Sequence, residues 1–348
     1  DAKAIERRHK NNISLYAISD YPLCENYVTQ IKQFCDDYTG ESRWLNASAI
    51  YTDAERANYI AGFDFVISVQ LIESDAQLSS DDSFQIWDDN SDDFDMIPQL
   101  HRMEGEQFVN NKIDGTGIRI AVFDGGFPGV DTHEAFKHLR DNNRIIKTWN
   151  FPKKYENVYG WNSHGTSVLS CIAGIDANGN NIGLATGSEF LLARTEVNAE
   201  PAKEEVYWTM ALEWADKNGA DIVNSSLGYG SERHRTSDMD GKTCVVTKAA
   251  DMAASKGILV VNAAGNEGDD KSWRIIGAPA DAENILSVGG IEDSGDFHIS
   301  FSSFGPTADG RLKPNVSAFG YAKVAEPEGY GYAYGTSFAS PLVAGFAA

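Results

Sequence analysis

Apolar positions in the first part of the chain alternate between strand-like runs and helical spacing. Residues 1–12 are polar, with Lys3, Arg7, Arg8 and Lys10 among them, and read as a loose end. Residues 13–18 read as a strand, and Tyr27, Ile31, Phe34 and Cys35 then recur at helical spacing. Residues 44–51 read as a second strand. Thr52-Asp53-Ala54-Glu55 forms a capping box opening a short helix that Gly62 closes, and residues 63–72 read as a third strand. Strand, helix, strand, helix, strand describes a small α+β module of the split βαβ kind.

The pattern changes after an acidic interval. Eight aspartates occur from Asp75 to Asp95, and no Lys or Arg lies between Arg56 and Arg102. Such a run repels itself and is expected to be an extended, cleavable linker. Beyond it come short apolar runs at 118–123, 189–194, 221–225, 258–263 and 285–288, of the sort buried in parallel sheets. One helical pattern between them carries Val206, Met210 and Trp214 on one face and ends at Gly219. Another, rich in alanine, covers 245–256 and ends at Gly257. The alternation predicts an α/β domain with a doubly wound, mainly parallel sheet, helices on both faces, and a site at the strands' carboxyl ends. The expected organisation is a module over 1–74, a linker over 75–95 and a large domain over 96–348.

Composition narrows the functions open to this chain. At 348 residues it accommodates one large and one small domain, with 42% hydrophobic and 23% charged residues. A net charge of −22 argues against nucleic-acid or anionic-membrane binding, which needs a basic face. No apolar run approaches the ~20 residues that span a bilayer. No signal peptide is present, so a secreted origin requires one already removed. Cys24 and Cys35 bracket a helix too long for them to bridge, Cys171 reads as a small buried hydrophobe, and Cys244 has no obvious partner.

Chemistry concentrates in three places. Residues 335–345 (Gly-Thr-Ser-Phe-Ala-Ser-Pro-Leu-Val-Ala-Gly) read as a loop turning into a buried helix, with Ser337 where the first N–H groups lack intrahelical partners. Pro341 fits if it lies about one turn in. Asp124 follows the apolar run at 118–123, and His164 begins an apolar helical stretch. A nucleophilic serine needs a base, and the base needs a third group to fix its tautomer. Asp, His, Ser is one of the chain orders in which that trio is assembled.

The chain resembles the subtilisin-like serine proteases (subtilases) through Ala121-Val122-Phe123-Asp124-Gly125-Gly126, Ser163-His164-Gly165-Thr166, Ala263-Ala264-Gly265-Asn266-Glu267-Gly268 and Gly335-Thr336-Ser337-Phe338-Ala339-Ser340-Pro341. The resemblance covers residue 96 to the end, and a weaker one to subtilase propeptides covers most of what precedes. It implies a secreted or cell-surface endopeptidase made as a zymogen, acting on peptide or protein substrates, with Asp124, His164 and Ser337 catalytic. Asn266 and the Ser337 N–H would form the oxyanion hole. Ser226-Leu227-Gly228 would be the edge that takes the peptide as an added strand, Ala263-Ala264-Gly265 the opposite pocket wall and Gly277 its floor, with Glu267 near the rim favouring a basic side chain. The amino-terminal module would be an intramolecular inhibitor, cut off between residues 73 and 96. The chemistry requires no cofactor, while structural calcium is common in the family.

Other signals carry less. His133 and His138 are five apart, about 140° around a helix, so they do not share a metal. Gly115-Thr116-Gly117 precedes a strand, unlike a dinucleotide fingerprint. Asp176-Ala177-Asn178-Gly179-Asn180 has the alternate oxygen donors of a calcium loop, but Asn-Gly is more often a turn. The rival to a protease is a catalytically silent or propeptide-locked scaffold that binds peptides; an esterase would use the same trio. The chain stops at Ala348, eleven positions after Ser337, where subtilases continue. The large domain is therefore expected to be truncated, with Leu342, Val343 and Phe346 short of packing partners.

Overall fold

A computed structural model describes residues 1–72, 97–197 and 201–348. The acidic interval, and the cut expected within 73–96, lie outside the described residues.

The chain opens with helix α1 (Ala2–Lys10) where a loose end was expected. Asp1 caps it by accepting the Lys3 N–H, and Arg7, Arg8, His9 and Lys10 in its last turn suit the negative end of the helix dipole. Helix α2 (Glu25–Lys32), strands β1 (Asp37–Ser42) and β2 (Ala47–Tyr51), and helix α3 (Ala54–Ala61) follow. Asp53 caps α3 through the Arg56 N–H at 2.8 Å. The strands expected at 13–18 and 63–72 do not form. At 13–18 the backbone is taken up by the end of α1: Ile13 N–H donates to Arg8 O at 2.8 Å, and Leu15 O accepts from the Arg8 guanidinium at 3.0 Å. Phe63 and Phe65 join a cluster of rings with Tyr27, Phe34 and Tyr59, while Ile67 beyond them is 96% exposed. The described module thus has one antiparallel pair, β1–β2, in place of the three strands of a split βαβ unit.

Short helices α4 (Pro98–His101) and α5 (Gly105–Asn110) lead into the large domain. There β3 (Arg119–Asp124), α6 (Lys137–Asp141), β4 (Ile145–Asn150), α7 (His164–Ala173), β5 (Glu189–Arg194), α8 (Lys203–Lys217), β6 (Ile222–Ser225), α9 (Val245–Ser255), β7 (Leu259–Ala263), β8 (Leu286–Ile291) and β9 (Val316–Phe319) succeed one another. A hairpin of β10 (Tyr321–Glu326) and β11 (Gly329–Tyr334) precedes α10 (Thr336–Ala347). Seven strands make one parallel sheet in the order β4-β5-β3-β6-β7-β8-β9. The chain leaves β3 toward β4 and β5 on one side and returns to β6 on the other, so the crevice of such a sheet lies at the carboxyl ends of β3 and β6.

Alternation along the strands sends side chains to two cores. Ile120 and Val122 pack with α7 and α10, through Leu169, Ile172, Phe338 and Leu342. Ala121 and Phe123 pack with α8 and α9, through Trp208, Leu212, Ala249 and Ala250. Helix α8 is covered twice over. Trp208, Ala211, Leu212 and Ala215 face the sheet, whereas Met210, from the expected apolar stripe, lies under β1, where a Cβ at Gly40 would collide with its sulfur. At the carboxyl end Leu342 is buried, and Phe346 packs on Phe108 with ring centroids 5.0 Å apart. Among the described residues no helix is long and apolar enough to cross a membrane.

Trp208 is fully buried, edge-on to Phe123, and donates its indole N–H to Ser225 Oγ at 2.9 Å. Trp208→Ala is expected to cost about 3–5 kcal/mol in urea unfolding, from lost burial and the cavity left behind.

Candidate active site

Four chain segments meet at the carboxyl ends of the sheet. Asp124 is the last residue of β3 and is buried; Oδ1 accepts the Gly125 N–H at 2.7 Å. His164 is the first residue of α7, its N–H donating to Asn162 Oδ1 at 2.8 Å. Its Nδ1 lies 3.0 Å from both carboxylate oxygens of Asp124. Gly165 makes that approach possible, since a Cβ there would stand 2.8 Å from the Asp124 Cβ. The imidazole also packs against Phe338, centroids 5.5 Å apart, and so lies beside the first turn of α10.

Ser337 is the second residue of α10 and is buried. Its Oγ donates to Ser226 O at 3.2 Å. In return Ser226 Oγ donates to Ser337 O at 2.7 Å. That carbonyl would ordinarily accept the N–H four residues on, but residue 341 is a proline and has none. Ser226 fills the vacancy that Pro341 leaves, which is how a proline is tolerated inside a buried helix. Ser340 Oγ adds a bond to Asn224 Oδ1 at 2.9 Å.

Asn266 joins the same helix end. Its Oδ1 accepts from Thr336 N–H at 2.9 Å, and the Thr336 hydroxyl lies 3.0 Å away. Because the backbone N–H fixes which end of the amide is oxygen, the NH2 must face the other way and is available as a donor.

The expected peptide-binding segments are linked to one another. Asn262, whose part sequence reasoning did not foresee, donates to Leu227 O at 3.0 Å and to Ala263 O at 2.8 Å, bridging the two proposed walls. Gly277 N–H donates to Ala264 O at 3.2 Å, and Tyr229 exchanges backbone bonds with Ala278 at 2.8 and 3.0 Å. Gly228 is exposed, Leu227 half-buried, and Gly265 adopts a φ of +113° that favours glycine. Glu267 accepts from Ser303 Oγ at 2.8 Å, and burial pushes its carboxyl above the ordinary range.

The remaining candidates have other partners. Asp176 accepts the N–H groups of Asn178 and Asn180 at 3.0 and 2.8 Å and pairs with Lys323 Nζ at 3.1 Å, so an ammonium stands beside the carboxylate expected of a calcium loop. His133 bonds Gly329 O at 2.9 Å, whereas burial holds the His138 imidazole down at about 4. The four cysteines are free. Among the described residues no group of three or more His, Cys, Asp or Glu is arranged to hold a metal.

Residues 115–348 match the model of the Subtilase family, and residues 1–85 match the Peptidase S8 propeptide domain, Bacteroidota. Subtilisin of Bacillus pumilus is 32% identical over 236 residues, covering 67% of this chain and 76% of the relative. Subtilisin DY of Bacillus licheniformis is 35% identical over 187 residues, covering 54% of this chain and 62% of its own length. Among solved structures, a cold adapted subtilisin-like serine proteinase superposes with a TM-score of 0.52 at 26% identity, over 67% of this chain and 75% of that one.

Two outcomes test the site's supports. Ser226→Ala is expected to cost about 1–3 kcal/mol by stranding Ser337 O, and less in a Pro341→Ala background, where an N–H is restored; a double-mutant cycle in urea reads the difference. The folded carboxyl of Glu267 titrates above its ordinary 4.5, so its contribution is complete below that pH and is lost as pH rises through the folded value. Glu267→Gln, which keeps an acceptor for Ser303, is expected to raise the melting temperature at pH 7 and to lose that advantage below pH 4.5.

Proposed function

The chain belongs to the subtilase family, and from that premise we propose that it is a secreted serine endopeptidase made as a zymogen, with Asp124, His164 and Ser337 as its catalytic trio. The observation that carries this reading is the Asp124 carboxylate 3.0 Å from His164 Nδ1, with the imidazole packed on the helix turn that bears Ser337. Asp124 keeps the Nδ1–H tautomer, leaving Nε2 basic. As Ser337 Oγ attacks the scissile carbonyl, its proton passes to His164, and Asp124 stabilises the imidazolium. The Asn266 amide and the Ser337 N–H, in the first turn of α10, donate to the oxyanion that forms. His164 then protonates the leaving amine, and a water deprotonated by the same imidazole hydrolyses the acyl-enzyme.

The peptide would lie as an added antiparallel strand along Ser226, Leu227 and Gly228, where Gly228 presents exposed backbone. Ala263, Ala264 and Gly265 would wall the main pocket and Gly277 would floor it. Glu267 at its rim would bias the pocket toward basic side chains, though its bond to Ser303 and raised carboxyl weaken that bias in mild acid. No step requires a metal. A structural calcium would have to bind somewhere other than the Asp176 loop, where Lys323 supplies the positive charge. Residues 1–74 would be the propeptide, and the acidic linker the segment cut on activation. A locked peptide-binding scaffold is the competing reading, favoured by the buried contact of Arg7 in α1 with Asp216 of the large domain.

A fluorophosphonate probe separates the two. Labelling of the processed protein that disappears in Ser337→Ala supports the peptidase, and absence of labelling with Ser337 intact supports the scaffold. Casein hydrolysis alongside a short-ester assay separates a peptidase from an esterase. Asn266→Ala is expected to lower kcat by about 100- to 1,000-fold, a magnitude known from subtilisin itself, with KM little changed.

A further inference from the structure

The amino-terminal helix grips the large domain at the amino ends of the central strands, opposite the candidate site. Lys3 Nζ reaches Gly117 O at 2.7 Å, ahead of β3, and Asp221 at 3.0 Å, ahead of β6. Arg7, 4% exposed, donates to Lys256 O at 3.1 Å, to Ala220 O and to the Asp216 carboxylate. These acceptors lie where α8 and α9 end and turn back toward the amino ends of β6 and β7. Arg8 adds a bond to Asp216 Oδ2 at 3.0 Å and a two-pronged pair with Asp20 at 2.8 and 2.9 Å. Lys256 Nζ answers from the other side, donating to Asp20 at 2.9 Å and Ser19 Oγ at 3.0 Å.

Each charge in this dock is met by one from the other module, and the Lys256 carbonyl that caps α9 faces the Arg7 guanidinium at that helix's negative dipole end. Between this dock and the cleft the module also rests on α8, where Trp44 is buried and Ser42 Oγ and the Trp44 N–H donate to Glu213 at 2.6 and 3.2 Å; toward the cleft the hold is slighter. Gln70 bonds Thr243 O and Lys248 Nζ, each at 3.3 Å and both exposed.

We propose that the surface formed by the carboxyl ends of α8 and α9 is a docking site for this chain's own amino-terminal helix, and that this dock, rather than the segment running toward the cleft, retains the module once the chain between them is cut. The consequence for the processed enzyme rests on the zymogen reading; the dock itself does not. Release of the module would then require breaking or digesting residues 1–20, and not merely a stronger competitor in the cleft.

The test uses the full chain with Ser337→Ala and a recognition sequence for an unrelated site-specific protease placed within residues 73–96. After cutting, dissociation of the two fragments is followed by size-exclusion chromatography at successive times. Arg7→Met and Asp216→Asn are each expected to speed dissociation by at least about 30-fold, and Gln70→Ala by less than about threefold. If Arg7→Met does not fold before the cut, as judged by its thermal melt, Arg7→Lys retains the charge but loses bonds and is expected to speed release at least about tenfold. Unchanged dissociation in the Arg7 and Asp216 variants, or a larger effect from Gln70→Ala, would overturn the dock. Failure of the zymogen reading shows separately, as a chain with Ser337 that keeps residue 1 attached on prolonged incubation.

Discussion

The start of α10 must hold one rotational setting, and the candidate site depends on that constraint. Burial of Phe338, Ala339 and Leu342 draws the helix under the sheet, but burial is non-directional and would tolerate a turned or shifted helix. Direction comes from a few polar bonds. Asn266 takes the Thr336 N–H, Ser226 exchanges bonds with Ser337, and Asn224 takes the Ser340 hydroxyl. Each is worth on the order of 1 kcal/mol net, yet a rotation that broke them together would leave several buried polar groups unmatched. Pro341 sharpens the effect, because the carbonyl it frees can be satisfied only if Ser226 stands where it does.

The same economy appears on the other side of the site. Asp124 ends a strand buried on both faces, so its carboxylate has few positions open to it, and Gly165 removes the side chain that would keep α7 away. The two sheet faces divide the work. The face of α7 and α10 carries the imidazole and the alcohol, while the face of α8 and α9 carries the amino-terminal module. Events at the second face therefore need not disturb the geometry of the first.

Legibility from sequence follows the same physics. Strands β3, β5, β6, β7 and β8 were readable because a strand covered on both faces carries a near-continuous apolar run, with its polar residues mostly toward the ends. The outer strands β4 and β9 mix polar and apolar residues, and β1 (Asp-Tyr-Thr-Gly-Glu-Ser) is polar, so none of them announces itself. Residues 63–72 show the converse error: an apolar run without a partner edge does not make a strand. Asp124, His164, Asn266 and Ser337 could be picked out because each sits in a motif of small residues. Asn262, Thr336 and the Ser226–Pro341 complement could not, since their value arises only when β6, β7 and α10 converge. Helix α1 was the largest omission, and its cause is plain: Arg7 and Arg8 meet Asp216 across 209 and 208 residues of chain, a separation no local pattern records.

That omission bears on why the dock is built from charges. The module does rest on α8 through apolar packing, with Trp44 buried beside it and Met210 under β1, but a module that must later leave gains from keeping that face small, because parting would expose a patch prone to aggregation. Buried ion pairs add little net stability when formed, since desolvation offsets most of their attraction. They are costly to break on one side only, when a partner is left buried, and much less so when both sides return to water together. A guanidinium clamped between the Asp216 carboxylate and the carbonyls of Ala220 and Lys256 therefore discriminates sharply between correct docking and a near miss, while the separated Arg7 and Asp216 each become well-hydrated surface charges. On a chain with net charge −22, placing Arg7, Arg8 and Lys3 in the amino-terminal helix also gives the module a direction of approach: toward the acidic residues at the ends of α8 and the strands, and away from the cleft.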